Sequence, residues 1–167
     1  MQCSRFVTRA LTAELGPGAD AEAQLAWLVD NAVQPWDYTR LEAQLAADRA
    51  ARADLEPGAW LPGALRRLRR RLLLGIIVRD VARRADLGEV TQSMTALAEC
   101  SVRHAMRVLA TDLAARHGVP ADSYSGSAQD LLVVAMGKGG AGELNVSSDL
   151  DLVFVYDAES VSRGDVP

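Results

Sequence analysis

The sequence predicts an α+β protein in which a helical N-terminal region is followed by the start of a small β-sheet. Two observations support this class. Residues 1–118 are dominated by helix-forming residues with apolar side chains three and four apart, whereas residues 131–136 and 150–156 are short continuous apolar runs. The pattern changes near Gly118, so we divide the chain into a helical lead-in over residues 1–118 and a second part over residues 119–167.

Two helices of moderate length are expected first. Residues 21–32 and 37–54 are rich in Ala, Leu, Glu, Gln and Arg, which have high helix propensity. Pro17, Gly18 and Pro35 interrupt the pattern and separate these segments.

A pair of longer helices follows. The first covers about residues 62–84, because Pro62 suits a first helical position and apolar residues recur at intervals of three and four. The second covers about residues 87–116, because Asp86 and Glu89 have the spacing of a capping box and the apolar stripe continues to a Gly-Val-Pro stop. The two helices should form an antiparallel pair.

The remaining chain predicts two strands. After a polar loop at residues 121–129, residues 131–136 have the length and composition of a buried strand, and residues 150–156 form a second strand. Residues 137–148 between them are expected to form a loop, with or without one short helical turn. Residues 158–167 are assigned to a loop.

Composition excludes several classes of protein. The net charge of −4 and the pI near 5.2 argue against nucleic-acid binding. The N-terminus lacks a signal-peptide pattern, and no apolar run approaches the roughly 20 residues that cross a bilayer. We therefore expect a cytoplasmic protein with no membrane partner. Cys3 and Cys100 indicate neither a zinc site nor a disulfide, and His104 and His117, without a ligand spacing, are interpreted as structural or exposed.

The arginine-rich segment at residues 66–71 could be mistaken for a nucleic-acid patch. Leu65, Leu68 and Leu72 interrupt it at helical spacing, which places the arginines on the outer side of an amphipathic helix. We interpret them as a solvent-facing or partner-facing surface.

Residues 136–152 carry the clearest chemical signal in the chain. They read Met-Gly-Lys-Gly-Gly-Ala-Gly-Glu-Leu-Asn-Val-Ser-Ser-Asp-Leu-Asp-Leu. The glycines let backbone N–H groups approach a phosphate closely. Lys138 is the one lysine among eighteen basic residues, and it is either a phosphate-facing point charge or an exposed surface lysine.

Two carboxylates end this segment. Alternate side chains of a strand share one face, so Asp149 and Asp151 should project together, whereas Leu150, Leu152 and Phe154 point the other way. Such a pair suits Mg²⁺, which binds one or two protein carboxylates and completes its octahedron with water and phosphate oxygens. The sequence therefore predicts a metal and nucleotide site.

The segment resembles the nucleotidyltransferase motif of the bifunctional glutamine synthetase adenylyltransferase/adenylyl-removing enzymes. That motif reads roughly Gly-Met-Gly-Lys-Leu-Gly-(Gly/Ala)-x-Glu-Leu-Asn-x-Ser-Ser-Asp-(Ile/Leu)-Asp-Leu, and nearly every position of residues 136–151 matches it. The upstream helices are also similar, so the resemblance covers about residues 60–157. It implies that residues 119–167 are the beginning of a polymerase-β-like nucleotidyltransferase domain, which is incomplete in this chain.

The resemblance also implies which half of the family enzyme is represented. These enzymes carry two similar halves, and the second typically has Gly-Tyr where this chain has Asn145 and Val146. The chain therefore looks like the first half, which in the family removes AMP from glutamine synthetase.

The activity implied by the resemblance is phosphorolysis. In the family, inorganic phosphate attacks the adenylyl group on a tyrosine of glutamine synthetase and releases ADP; the full enzyme also adenylylates that tyrosine, with ATP as substrate, and so regulates nitrogen assimilation. By motif match, Asp149 and Asp151 are the catalytic residues and hold Mg²⁺, with Mn²⁺ as an alternative ion. The residues matched to nucleotide and phosphate binding are Gly137, Lys138, Gly140 and Ser148. Glutamine synthetase is the implied partner, with a PII-class nitrogen signalling protein as a further candidate.

Two departures from the family pattern affect these expectations. Gly139 stands where the family usually has Leu, which suggests a looser turn or a lost packing anchor. A further carboxylate that the family supplies from a downstream strand is absent, so the chain looks like the front portion of a longer enzyme and is expected to be poorly active alone.

Two other functions stay open from the sequence. One is a different Asp-x-Asp nucleotidyltransferase, against which the Glu-Leu-Asn and Ser-Ser words at residues 143–148 argue. The other is a non-catalytic interaction fragment, in which the helical region binds a partner.

Overall fold

The computed structural model describes residues 4–156 and 160–162, which form a mostly helical protein with short antiparallel strand pairs. The helices are α1 (Arg5–Leu15), α2 (Ala21–Asn31), α3 (Tyr38–Ala50), α4 (Pro57–Val81), α5 (Leu87–His117) and α6 (Gly137–Gly140). The strands are β1 (Pro120–Asp122), β2 (Leu132–Ala135), β3 (Leu152–Val155) and β4 (Ser160–Ser162). Among the described residues, no helix combines the length and the apolar composition needed to cross a bilayer.

Helix α1 lies in a segment to which the sequence analysis assigned no element. The hydroxyl of Ser4 accepts a hydrogen bond from the Phe6 N–H at 3.2 Å and so satisfies a free donor of the first turn. Ala10 and Leu11 are buried against Leu74 of α4. The packing of this short apolar face on α4, rather than a long periodic pattern, stabilises the helix.

Helices α2 and α3 confirm the two moderate helices expected from the composition. Each begins after an aspartate whose side chain accepts a backbone N–H at 2.8 Å, Asp20 from Ala23 and Asp37 from Arg40. Helix α3 ends at Ala50, four residues earlier than predicted, and the chain turns before α4.

Helices α4 and α5 form the predicted pair, but α4 begins earlier than expected. Pro57 occupies its first turn, and Pro62 lies inside the helix, where its missing N–H removes one intrahelical hydrogen bond. At the start of α5, the Asp86 carboxylate accepts the Glu89 N–H at 2.8 Å, as predicted. The Glu89 side chain does not complete a capping box, because it binds Arg79 of α4 instead.

One apolar core joins the helices and reaches the C-terminal part of the chain. Its fully buried members are Trp36, Leu41, Leu45, Leu68, Leu72 and Cys100. Leu144 belongs to the same core, and Leu150 packs against it, although both follow the proposed boundary at residue 118. The division into two parts stays a prediction. Burial raises the pKa of the Cys100 thiol to about 12, so this cysteine is a protonated core residue at neutral pH.

Three arginines of the segment at residues 66–71 have partners inside the molecule, which corrects their interpretation as a solvent-facing or partner-facing surface, whereas Arg66 and Arg69 are exposed as expected. Arg67 makes two hydrogen bonds to Asp48 of α3, at 2.8 and 2.7 Å. Arg70 and Arg71 both bind Glu14 of α1, whose carboxylate is buried. Hydrogen bonding by Arg67 lowers the pKa of Asp48. These arginines therefore fix α1 and α3 against α4.

Arg79 connects three segments from a buried position. Its guanidinium binds both carboxylate oxygens of Glu89, at 2.6 and 2.8 Å. It also donates to the carbonyl oxygens of Ala32 and Val33, which follow α2, and to that of Arg84 in the connection to α5. The hydrogen bond to Glu89 raises the pKa of Arg79. One cation therefore holds α2, α4 and α5 together.

The strands form two antiparallel pairs. β2 pairs with β3 in a register that runs from Leu132 opposite Val155 to Ala135 opposite Leu152. β1 pairs with β4, so residues 120–122 and 160–162 are strands where loops were predicted; the rest of the segment 158–167 lies outside the described residues.

The burial predicted for residues 131–136, which include β2, is wrong. Residues 131–136 were predicted to be a buried strand, yet Leu132 is 61% exposed, and Phe154 of β3 is 52% exposed. A continuous apolar run shows that a strand can be covered on both faces, but it does not show what covers it. Among the described residues, no helix or strand covers the exposed side chains of β2 and β3, such as Leu132 and Phe154.

Candidate metal and nucleotide site

The connection between β2 and β3 carries every residue that the sequence assigned to a site. Strand β2 runs through Met136 into the four-residue helix α6, and a turn then returns the chain to β3. The Met136 N–H donates to the Asp151 carbonyl oxygen at 2.9 Å, which extends the strand pairing by one residue. Asp151 is therefore held opposite the residue that precedes the glycines.

The two aspartates lie just before β3 and not within it. β3 begins at Leu152, so the prediction that a strand starts at residue 150 is wrong by two residues. Burial nevertheless alternates: Leu150 packs against the core, whereas Asp149 and Asp151 on either side are exposed. This alternation is what the shared-face argument requires, because the leucine between the two carboxylates turns inward.

Two glycines of the connection are required by backbone geometry. Gly137 has a φ of +54°, a conformation that favours glycine, and a Cβ there would lie 3.4 Å from Oδ2 of Asp151. A Cβ on Gly140 would lie 2.5 Å from the carbonyl oxygen of Ala135, which is a backbone atom of β2. The glycines therefore bring α6 close to β2 and to the Asp151 carboxylate.

The position where the family usually has leucine is only loosely filled. Gly139 borders a groove of about 540 Å³ between α5 and the β2–β3 pair, together with Ala98, Val102, Leu144 and Leu150. A Cβ on Gly139 would lie 2.9 Å from Cδ1 of Leu150, a methyl group at the end of a flexible side chain. The loss of a packing anchor at Gly139 stays a prediction.

Alanine substitution should distinguish the surroundings of Gly140, which lies against a backbone oxygen, from those of Gly139, which lies against a side-chain methyl group. We expect Gly140→Ala to lower the free energy of unfolding by about 1–3 kcal/mol, because the new methyl meets a backbone oxygen that cannot move alone. Gly139→Ala should be neutral or stabilise by up to about 1 kcal/mol, because Leu150 can shift into the groove and alanine restricts the unfolded chain. Urea unfolding followed by circular dichroism measures both. Equal effects of the two substitutions would contradict this assignment.

The turn before the aspartates is stabilised by its own polar side chains. The Asn145 carboxamide oxygen accepts from the backbone N–H of Ser147 at 2.9 Å and from its hydroxyl at 3.0 Å. Ser148 Oγ accepts from the Asn145 N–H at 3.0 Å. Asn145 and Ser148 therefore act as turn residues, and the Ser148 hydroxyl still has its own hydrogen to donate.

The turn is anchored to the helices by residues that the sequence analysis did not select. Leu144 is only 4% exposed and lies in the helical core. Arg69 of α4 donates to the Val146 carbonyl oxygen at 3.3 Å. The signal for Leu144 was present, because an apolar residue within a polar turn needs a place to be buried. Arg69 had no such signal, since its partner is a backbone atom.

The donor set fits a hard divalent cation. Asp149 and Asp151 are exposed, and neither makes a hydrogen bond or an ion pair through its carboxylate with a described residue. Carboxylate oxygens of this kind are the ligands that Mg²⁺ prefers, and the binding of a metal here stays a prediction. Lys138 is exposed on α6 in the same connection.

A helical scaffold that presents a glycine-rich connection and an Asp-x-Asp pair is the arrangement expected of a nucleotidyltransferase. Comparison with known proteins gives the family. The chain matches the family described as glutamate-ammonia ligase adenylyltransferase over residues 4–166, and it belongs to that family.

Individual relatives agree with this assignment. The chain is 42% identical over 149 residues to the bifunctional glutamine synthetase adenylyltransferase/adenylyl-removing enzyme of Bordetella pertussis, an alignment that covers 87% of this chain and 16% of the relative. It is 40% identical to the enzymes with the same name from Ralstonia nicotianae, over 161 residues, and Nitrosomonas europaea, over 163 residues. Each of these alignments covers 96% of this chain and 16% of the relative. The chain therefore spans about one sixth of the length of the curated relatives it matches.

Proposed function

We propose that this chain carries the metal and phosphate site with which a glutamine synthetase adenylyl-removing enzyme takes AMP from its protein substrate. The observation that carries the proposal is the pair of exposed carboxylates, Asp149 and Asp151, on either side of the inward-facing Leu150. The Gly137 backbone lies against Asp151, so a phosphate beside that backbone would also be beside the carboxylate. Family membership supports the chemistry.

The proposed reaction exchanges one phosphorus–oxygen bond for another. An oxygen of inorganic phosphate attacks the phosphorus of the adenylyl group on a tyrosine of glutamine synthetase. The bond between that phosphorus and the tyrosine oxygen breaks, the tyrosine oxygen takes up a proton, and the adenylyl group leaves as ADP. The protein mainly has to position the two reactants and offset their negative charge.

Each residue of the connection has a role in this proposal. Asp149 and Asp151 hold Mg²⁺ or Mn²⁺. When bound by these residues, such an ion would supply positive charge to the phosphoryl group and its attacking and leaving oxygens. The Gly137 backbone is proposed to face the phosphates. The Gly140 N–H already donates to the Met136 carbonyl oxygen at 3.1 Å, so the proposed role of Gly140 in phosphate binding is to let α6 lie close to β2. The remaining proposed donors to phosphate oxygens are the Lys138 ammonium and the Ser148 hydroxyl.

We further propose that the chain corresponds to the first, adenylyl-removing half of the family enzyme. Asn145 and Val146 support this choice, because the other half typically has Gly-Tyr there. The Asn145 carboxamide accepts two hydrogen bonds within the turn, which a glycine could not replace. Glutamine synthetase is the proposed protein substrate, and a PII-class nitrogen signalling protein is the proposed regulator.

Metal titration of the 167-residue chain tests the site. We expect Mn²⁺ to bind with low affinity by isothermal titration calorimetry, and ADP to bind more tightly when Mn²⁺ is present. In the Asp149→Asn, Asp151→Asn double variant, both responses should be lost, because an amide has no charge to offset that of the ion.

The matched control is the Asp54→Asn, Asp130→Asn double variant. These two aspartates are exposed and lie outside residues 136–151, so the control makes the same change in net charge without altering the connection. It should bind Mn²⁺ and ADP as the unchanged chain does. Identical binding by all three proteins would contradict the site assignment.

A further inference from the structure

A second group of potential metal ligands lies between α3 and α5, away from the aspartates. It consists of Glu42 on α3 and of Cys100 and His104 on α5. Cys100 and His104 are four residues apart on one helix, so their side chains lie on the same face. Glu42 could not be assigned to this group from the sequence, because it is 58 residues from Cys100 and joins it only through helix packing.

The three ligand atoms have a spacing that suits a tetrahedral ion. They all lie within 4.8 Å of one another. Sγ of Cys100 is 3.5 Å from Oε1 of Glu42, and Nε2 of His104 is 2.9 Å from the same oxygen. With Zn–S near 2.3 Å and Zn–N and Zn–O near 2.0 Å, a tetrahedral site separates sulfur and oxygen by about 3.5 Å and nitrogen and oxygen by about 3.3 Å. Nε2 of His104 therefore has to move about 0.4 Å away from Oε1 of Glu42 and to lie about 3.5 Å from Sγ of Cys100, from which it is now at most 4.8 Å.

The three potential ligands differ in burial, and the group is open to solvent on the side of Glu42. Cys100 is fully buried in the core, the His104 side chain is 15% exposed, and the Glu42 side chain is 37% exposed. An ion could therefore enter past the Glu42 carboxylate and keep a water on the solvent side.

We propose that Glu42, Cys100 and His104 form a zinc site that fastens α3 to α5. One thiolate, one imidazole and one carboxylate are ligands that zinc accepts, and three protein ligands leave a fourth position for water. A thiolate ligand favours zinc over Mg²⁺, so this site and the Asp149–Asp151 pair select different ions. On binding, the Cys100 thiol gives its proton to the solvent as the Zn–S bond forms. The proposal does not depend on the proposed function.

Cobalt is the spectroscopic probe for this site, because Co²⁺ accepts the same ligands and gives a thiolate charge-transfer absorption in the near ultraviolet. We expect the 167-residue chain to show this absorption with one Co²⁺ per chain, and Zn²⁺ to displace the cobalt. Zn²⁺ should also raise the midpoint temperature of unfolding, because it binds the folded arrangement of α3 and α5.

Variants separate this site from other metal-binding groups. Cys100→Ser should abolish the thiolate absorption, and His104→Ala should weaken zinc binding by more than about tenfold. Cys3→Ser and His117→Ala are the matched controls and should leave both unchanged. The Asp149→Asn, Asp151→Asn variant should also keep the absorption.

Two results would overturn the proposal. One is the absence of any thiolate absorption from the folded chain. The other is an absorption that Cys3→Ser removes and Cys100→Ser retains. Circular dichroism of each variant verifies that the helices are intact, and Cys100→Ala serves as the second variant if the serine disturbs the core.

Discussion

Arg79→Met should lower the free energy of unfolding by about 3 kcal/mol, the largest stability effect that we expect from one substitution on α4. The change removes both hydrogen bonds to Glu89 and leaves three backbone carbonyl oxygens, those of Ala32, Val33 and Arg84, without this donor. Breaking a buried ion pair by removing one partner typically costs about 3–5 kcal/mol. We expect the lower end, because the Glu89 side chain is 17% exposed and water can partly replace the guanidinium.

Urea unfolding monitored by the helical circular dichroism signal measures this effect. The Arg79→Met, Glu89→Leu double variant should recover part of the loss, because it no longer leaves an unpaired carboxylate next to the core. Arg79→Lys should lower the free energy of unfolding nearly as much as Arg79→Met does, since one ammonium cannot reproduce the planar set of donors of a guanidinium.

Arg116→Met is the matched control for this experiment. Arg116 pairs with Asp112 one turn away on α5, and both side chains are more than half exposed, so no measurable change is expected. If Arg79→Met were as mild as this control, the buried pair would not be what holds α2, α4 and α5 together.

The second large effect concerns catalysis and depends on the proposed function. We expect the 167-residue chain alone to release ADP from adenylylated glutamine synthetase at no more than about one hundredth of the rate of a full-length chimera. In the chimera, the 149 aligned residues of the Bordetella pertussis relative are replaced by those of this chain. The rate should be low because the positions of the carboxylates are poorly fixed. Asp149 and Asp151 lie just before β3, whose pairing with β2 is largely exposed among the described residues. A two-stranded unit is marginally stable, and an error of about 1 Å in a reacting group can cost about a hundredfold in rate.

The assay contains phosphate and Mg²⁺ and measures ADP. The Asp149→Asn, Asp151→Asn variant of the chimera controls for activity from elsewhere in the relative, and it should lose at least about a hundredfold, since a metal contributes several kcal/mol to the transition state. Turnover by the isolated chain at the rate of the chimera would show that the exposed strand pair is already rigid enough. An unaffected double variant would place the reaction at another site.

The helices could be predicted from the sequence because apolar periodicity and capping residues are local signals. Asp20, Asp37 and Asp86 each cap a helix close to where the pattern predicted one. The burial of β2 was not predictable in this way, because it depends on elements that the strand's own residues do not specify. Helix α1 was missed for a related reason, since its stability comes from packing on α4 and from the ion pairs of Glu14.

The candidate site shows the same division between local and distant information. The motif at residues 136–151 identified the aspartates and glycines, and the structure gives geometric reasons for Gly137 and Gly140. Their roles in binding metal and phosphate stay predictions. The Glu42, Cys100 and His104 group was not found from sequence because its members come from two helices. Only the four-residue spacing of Cys100 and His104 was visible.

Leu144 has a consequence for how the candidate site responds to distant changes. Because this side chain lies in the helical core, the turn that ends at Asp149 cannot detach without opening a cavity among α4 and α5. The turn and the helices should therefore open as one cooperative unit, and backbone amides of the turn should exchange with solvent as slowly as those of the neighbouring helices. A local loosening of α4 or α5 would then change the distance between the Asp149 and Asp151 carboxylates while the rest of the protein is still folded.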